Sequence, residues 1–134
     1  MRTALITDLH ANREAVEAVL AHAGGQRIDA WVLLGDFVGY GADPAWVVDI
    51  VIDLVRQGAV AVQGNHDAAV VRGAAPGMRP DARYVIEWTR SRLSAEQIAF
   101  LDSLPLSVTD GDRLYVHANA WHPPGWEYVA GRSD

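Results

Sequence analysis

Short apolar runs, each broken by an aspartate or a glycine, alternate in the first half of the chain with longer stretches whose apolar residues recur every three or four positions. Thr3-Ala4-Leu5-Ile6-Thr7, ending at Asp8, has the length and residue types of a buried strand. Asn12 can cap a helix running through Gly24, with Ala15, Val16, Val19, Leu20 and Ala23 on one face. Ala30-Trp31-Val32-Leu33-Leu34 is a second strand, ended by Gly35-Asp36, and Gly39 and Gly41 mark an irregular loop after it. Asp43-Pro44 then opens a helix, Asp at the cap and Pro in the first turn, with Val47, Val51, Leu54 and Val55 on one face and Gly58 as its stop. A third strand, Ala59-Val60-Ala61-Val62, leads to Gly64. Strand, loop and helix in succession predict an α/β fold with parallel strands and right-handed crossovers, and such sheets gather ligands at the carboxyl ends of their strands.

Beyond residue 70 the pattern changes. Gly73 to Pro80 reads as an irregular loop bordering the site, and Asp81 to Leu93 as a helix. Ser94-Ala95-Glu96-Gln97 is a capping box opening a further helix that carries Ile98, Leu101 and Leu104. Leu106-Ser107-Val108 and Arg113-Leu114-Tyr115-Val116 predict a hairpin whose turn is set by Asp110-Gly111, and its second strand delivers His117. The residues from Pro123 onward have no clear period. Trp31, Trp46 and Trp88 read as packing residues, His22 as a solvated or dipole-stabilising residue near a helix end, and Trp121, Trp126 and Tyr128 as base-stacking, core or interface groups.

Composition narrows the function classes. The 134 residues fit one domain with one core. No apolar stretch reaches the length of a membrane span, and the N-terminus lacks the apolar core and cleavage site of a secretory signal, so the expected location is the cytoplasm. Zero cysteines exclude disulfides and thiolate ligands, so any metal must be held by oxygen and nitrogen. A net charge of -6 argues against broad binding to a nucleic-acid backbone. The basic residues are all Arg, which reads as a bias of base composition and not as a functional signal.

The strand ends carry the chemistry. Asp8-Leu9-His10, Gly35-Asp36 and Gly64-Asn65-His66-Asp67 place three aspartates, two histidines and an asparagine where the first three strands end, a set suited to hard or borderline divalent metals. A phosphoryl centre needs cations to neutralise its oxygens, a bound hydroxide to attack, and a donor for the leaving oxygen; two ions roughly 3.5 to 4 Å apart supply the first two together. Asp36, alone on its loop between the other clusters, is the natural bridge. Asp8 and His10 then hold one ion, and Asn65 and His117 the other. His66 is positioned to donate to the leaving group, with Asp67 orienting its ring.

In order and approximate spacing, Asp8-Leu9-His10, Gly35-Asp36-Phe37-Val38-Gly39, Gly64-Asn65-His66-Asp67 and Val116-His117 resemble the calcineurin-like metallophosphoesterase family. The run from Asp36 to Tyr40 and on through Gly41-Ala42-Asp43-Pro44 is similar to its small bacterial and archaeal members, the YfcE and phosphodiesterase branch. The resemblance implies a four-layer α/β/β/α sandwich with two mixed sheets. It implies metal roles for Asp8, His10, Asp36, Asn65 and His117, a catalytic role for His66, and two ions such as Mn, Fe, Ni or Zn, with Mn first. It also implies glycine where this chain has Ala11 and Ala118, and a downstream Gly-His-x-His motif giving one more ligand to each ion. No such motif precedes Asp134, and His122 is the only other downstream histidine. The expectation is therefore a single domain over residues 1–134, truncated at its C-terminus, with its second sheet incomplete. The expected activity is hydrolysis of a small phosphate ester, a phosphodiester before a monoester, by a hydroxide bridging two metals. Still open are a scaffold of the same fold that binds protein partners, and a homo-oligomer that supplies the missing ligands from a second chain.

Overall fold

The computed structural model describes residues 1–74 and 76–131; Ala75, inside the expected loop from Gly73 to Pro80, and the last three residues lie outside the described ones. In chain order the elements are β1 (Thr3–Ile6), α1 (Arg13–Gly24), β2 (Ala30–Leu33), α2 (Pro44–Arg56), β3 (Val60–Ala61), α3 (Asn65–Arg72), α4 (Pro80–Arg92), α5 (Ala95–Ser103), β4 (Ser107–Asp110) and β5 (Arg113–Val116). β1, β2 and β3 form a parallel sheet in that order, with Leu5 opposite Val32 and Leu33 opposite Ala61. β4 and β5 pair antiparallel as a separate sheet, Ser107 opposite Val116. This is the expected mixed α/β fold with a small second sheet.

Local chemistry accounts for the element ends. The Asn12 side chain accepts the Ala15 N–H at 3.0 Å and starts α1. Pro44 begins α2 as expected, but Asp43 makes no side-chain cap there. The capping box of α5 is reciprocal: Gln97 N–H donates to Ser94 Oγ at 3.1 Å and Ser94 N–H to Gln97 Oε1 at 3.0 Å. The hairpin turn is tighter than the sequence suggests. β4 runs on to Asp110, leaving a two-residue turn in which Gly111 takes φ +62°.

The core joins β2 and its following loop to α2, α3 and α5, around Leu33, Phe37, Val47, Val51, Val70 and Leu101. Those six are essentially inaccessible to solvent, and burying each is worth about 2 kcal/mol. The opposite face differs from expectation. Of the apolar stripe predicted on α1, Val16 and Ala23 are buried, whereas Val19 is 41% exposed and Leu5 on β1 is 61% exposed, because among the described residues no layer covers that side. The tryptophans assigned to packing are half-buried, and Arg13 lies over the Trp46 ring at 4.9 Å and Arg92 over Trp88 at 5.2 Å.

Helix α3 is not foreseen by the sequence pattern, which assigns no element to the residues after Gly64. Its N-terminus is set by Asp67, whose carboxylate accepts the Gly64 N–H three residues earlier at 2.9 Å. The result is that Asn65 and His66 occupy the first turn of a helix and are held by its geometry.

Candidate metal centre

The loops after β1 and β2 run side by side beyond the ends of their strands. Asp8 N–H donates to the Gly35 carbonyl at 3.1 Å, His10 N–H to that of Asp36 at 2.9 Å, and Ala11 N–H to that of Phe37 at 2.9 Å. This ladder holds Asp8, His10, Ala11 and Asp36 at positive φ, between +44° and +57°, left-handed values that cost a side-chain-bearing residue about 1 kcal/mol each. Backbone outliers of this kind cluster where a chain must aim particular side chains at one point. Phe37 and Val38, both fully buried, anchor the loop to the core.

The aimed side chains converge on Asp36, itself 3% exposed. Its Oδ2 lies 3.3 Å from His117 Nε2 and 3.7 Å from His10 Nε2, and its Oδ1 accepts the backbone N–H of His66 at 2.9 Å. Asp8 Oδ1 stands 3.6 Å from His10 Nε2, and Asn65 Oδ1 stands 3.0 Å from His117 Nε2. The far nitrogens of both rings are tied to main-chain carbonyls, His10 Nδ1 to Val38 at 3.1 Å and His117 Nδ1 to Leu34 at 2.6 Å. A carbonyl only accepts, so each ring carries a proton on Nδ1 and turns Nε2 inward, the arrangement in which a metal-ligating histidine is held by its outer partner.

Two groups of three ligand atoms result, each within 4.8 Å of one another: His10, Asp36 and His66, and Asp8, Asp36 and His117. Asp36 belongs to both. The sequence pairs Asp8 with His10 and Asn65 with His117; those neighbours are present at the distances above, but folding also brings Asp8 to His117 and His66 to His10. Carboxylate oxygen, amide oxygen and imidazole nitrogen, without sulfur, fit a hard or borderline divalent cation. His122 is in neither group; its N–H donates to Asn119 Oδ1 at 2.7 Å.

Asp67 differs from expectation. Its fully buried carboxylate does not orient the His66 ring; it accepts the backbone N–H groups of Asp36 and Gly64 on Oδ2, both at 2.9 Å, and those of Phe37 and Val38 on Oδ1, at 2.9 and 3.2 Å. It ties the β2 loop to the start of α3. Glycine is required at that junction, because a Cβ on Gly64 would lie 2.2 Å from both N and Oδ1 of Asp36.

The charges follow from these contacts. Burial pushes the Asp36 carboxyl up, yet the hydrogen bonds from His117 and from the His66 backbone outweigh it and hold the group below the usual carboxylate range. The bond to Asp36 raises His117 to about 9 against the opposing effect of burial, so in the metal-free chain an imidazolium stands where a cation is wanted. Burial lowers His66, with Asp36 pulling the other way. Burial raises Asp67 to about 6, opposed by its backbone donors, that of Gly64 first.

The sequence model of the family described as calcineurin-like phosphoesterase matches residues 1–129. The chain belongs to this family. The uncharacterized protein MJ0912 of Methanocaldococcus jannaschii is 37% identical over 131 residues, covering 94% of this phosphoesterase-family chain and 53% of its own length. The crystal structure of a metallophosphoesterase from Sphaerobacter thermophilus is similar at 43% identity with a TM-score of 0.81, over 96% of this chain and 51% of that one. The hypothetical protein PH1004 from Pyrococcus horikoshii OT3 shares the fold, with 18% identity and a TM-score of 0.72 over 81% of this chain and 49% of that one. The chain spans about half the length of these relatives.

Within this calcineurin-like phosphoesterase chain, two features of the centre are not marked by the sequence pattern. One is the pair of carbonyls, Leu34 and Val38, which orient the histidines; every residue has a carbonyl, so no residue type announces them. The other is Tyr40, whose ring lies 4.6 Å from that of His66 and 4.8 Å from that of His10. Its setting between Gly39 and Gly41 is the available signal.

Proposed function

We propose that this chain carries the metal-ligating residues of a phosphoesterase centre, and that the protein hydrolyses a small phosphate ester, a diester before a monoester, with two divalent cations. The observation that carries this reading is the shared position of Asp36 between two groups of inward-turned ligand atoms. Asp8, His10 and Asp36 would hold one ion, and Asp36, Asn65 and His117 the other. When bound, two such ions neutralise the phosphoryl oxygens and make water a nucleophile at neutral pH. Mn is the ion to test first, with Fe, Ni and Zn accepted by the same donors.

The chain's own residues do the rest of the work. Burial favours the neutral His66 imidazole, which still bears one N–H with which to hydrogen-bond the leaving oxygen without transferring the proton. Gly39 makes room for that ring, since a Cβ there would lie 2.6 Å from His66 Nδ1. Asp67 acts at one remove: by gathering the N–H groups of Asp36 and Gly64 it fixes the Asp36 carboxylate relative to His66. An ionised Asp36 would be able to hold both cations, and its hydrogen bonds from His117 and the His66 backbone favour the ionised form.

Mn²⁺-dependent hydrolysis of bis-p-nitrophenyl phosphate, with Asp36→Asn as control, tests the proposal. The expected outcome is turnover that falls to background in the variant. Equal rates in the two proteins would overturn it and favour a protein-binding scaffold of the same fold.

A further inference from the structure

We propose that Tyr40 is the residue that sets leaving-group specificity, holding a planar uncharged aromatic group in the cavity between α3 and α4; the inference rests on the phosphoesterase reading above. Although it packs against two rings of the metal centre, Tyr40 is 72% exposed. Its backbone is held at φ +64° in a three-residue turn closed by the Gly41 N–H on the Gly39 carbonyl at 2.8 Å. Such turns are rare for a bulky residue and persist where the surroundings over-determine them. Here Gly41 N–H also donates to the His10 carbonyl at 2.9 Å, which locks the turn to the β1 loop and leaves the ring standing over the site.

From Tyr40 and His66 a cavity of about 380 Å³ runs between α3 and α4 onto Met78, Val85 and Ile86, within the range of small-molecule sites. Ala69, Met78, Ala82, Val85 and Ile86 make most of its lining apolar. The two charged residues at its edge, Arg79 and Asp81, pair with each other at 3.0 Å and leave no net charge for an ionic group. A second cavity of about 250 Å³ continues past Tyr40 along Tyr84 and Trp88, which leaves room for a ring larger than phenyl. Another cleft beside the centre, about 630 Å³ against α1, is bordered by Glu14 and Asp43, whose charges disfavour an anionic leaving group there. A group seated between α3 and α4 ends beside His66, the side chain assigned to the leaving oxygen. An aromatic group there would stack on Tyr40, a contact that tolerates many ring types.

Calorimetric titration of the chain with phenylphosphonate and with methylphosphonate, in saturating Mn²⁺, tests this. Neither compound is hydrolysed, so affinity is read without turnover. The expected result is phenylphosphonate binding about tenfold tighter than methylphosphonate. That ratio should be kept by Tyr40→Phe and brought close to one by Tyr40→Leu. Ala82→Trp, which fills the cavity from α4, should also weaken phenylphosphonate binding. Melting curves of each variant establish that it is folded. Equal binding of the two ligands to the unmodified chain, or a ratio unchanged in folded Tyr40→Leu, would overturn the inference and leave the phosphoesterase reading standing. Failure of both ligands to bind would overturn both readings.

Discussion

The carboxylate of Asp67 accepts the backbone N–H of Asp36 at 2.9 Å across 31 residues of sequence, and with three further backbone donors it fastens the loop that carries Asp36 to the helix that carries Asn65 and His66. An amide cannot replace it, since an Asn side chain has one acceptor oxygen and would set an NH₂ group against N–H donors. Asp67→Asn should therefore lower unfolding free energy by about 3 kcal/mol. Urea unfolding checks this; a change under about 1 kcal/mol would show that the four bonds are weak or that water replaces them.

The junction between Gly64 and Asp36 leaves no space for a methyl group. Gly64→Ala should destabilise the chain by about 2 kcal/mol and displace the Asp36 carboxylate, so that Mn²⁺ affinity drops as well. A Cβ added at Gly24, at the end of α1, would meet nothing within 4 Å, and Gly24→Ala should be neutral or stabilising by up to about 1 kcal/mol. Thermal melts and Mn²⁺ titrations of the two variants side by side distinguish steric exclusion at the site from a general cost of removing glycine.

Metal binding should raise the melting temperature, because a ligand that binds only the folded form stabilises it in proportion to its saturation. Added Mn²⁺ at 100 times its dissociation constant would contribute about 2.7 kcal/mol. Asp36→Asn should abolish most of the shift and His122→Ala should leave it intact, since His122 lies outside both ligand groups. A Mn²⁺-induced shift of equal size in Asp36→Asn would place the ion elsewhere.

In the metal-free chain, His117 faces the carboxylates of Asp36 and Asp8, the Asn65 amide oxygen and the Leu34 carbonyl, all of which favour its proton. Its folded pKa of about 9 lies above its ordinary 6.5. The linked stability is therefore fully present below 6.5 and is lost as pH rises through 9. Asp36 works at the other end: its lowered pKa gives stability present above its ordinary 3.8 and lost on further acidification. Urea midpoints measured in EDTA should fall between about pH 6.5 and 9.5, and His117→Gln should flatten that fall. An unchanged slope in the variant would assign the titration to another group.

Much of this architecture is legible in the sequence for local reasons. Asn12, Pro44 and the Ser94–Gln97 box act within one turn of helix, and the parallel strands announce themselves as short apolar runs ended by Gly or Asp. Helix α3 is hidden because Gly64-Asn65-His66-Asp67 carries polar, ligand-like residues where an apolar period is expected, although Asp67 three positions after Gly64 is a helix-start signal. The exposed side of α1 is illegible for a different reason: periodicity identifies an apolar face but not whether anything packs on it.

The sequence by itself determined the α/β class, the family resemblance and which residues lie at strand ends, because strand and turn propensities act over a few neighbouring positions and the metal-ligand types are few. Only the tertiary structure decided how those ends meet. The sharing of Asp36 by two ligand groups, the diversion of Asp67 to four backbone donors, the carbonyls that turn His10 and His117 inward and the raised ring of Tyr40 all depend on contacts between residues far apart in the chain. Such contacts involve backbone groups that every residue possesses, and packing is what selects among them.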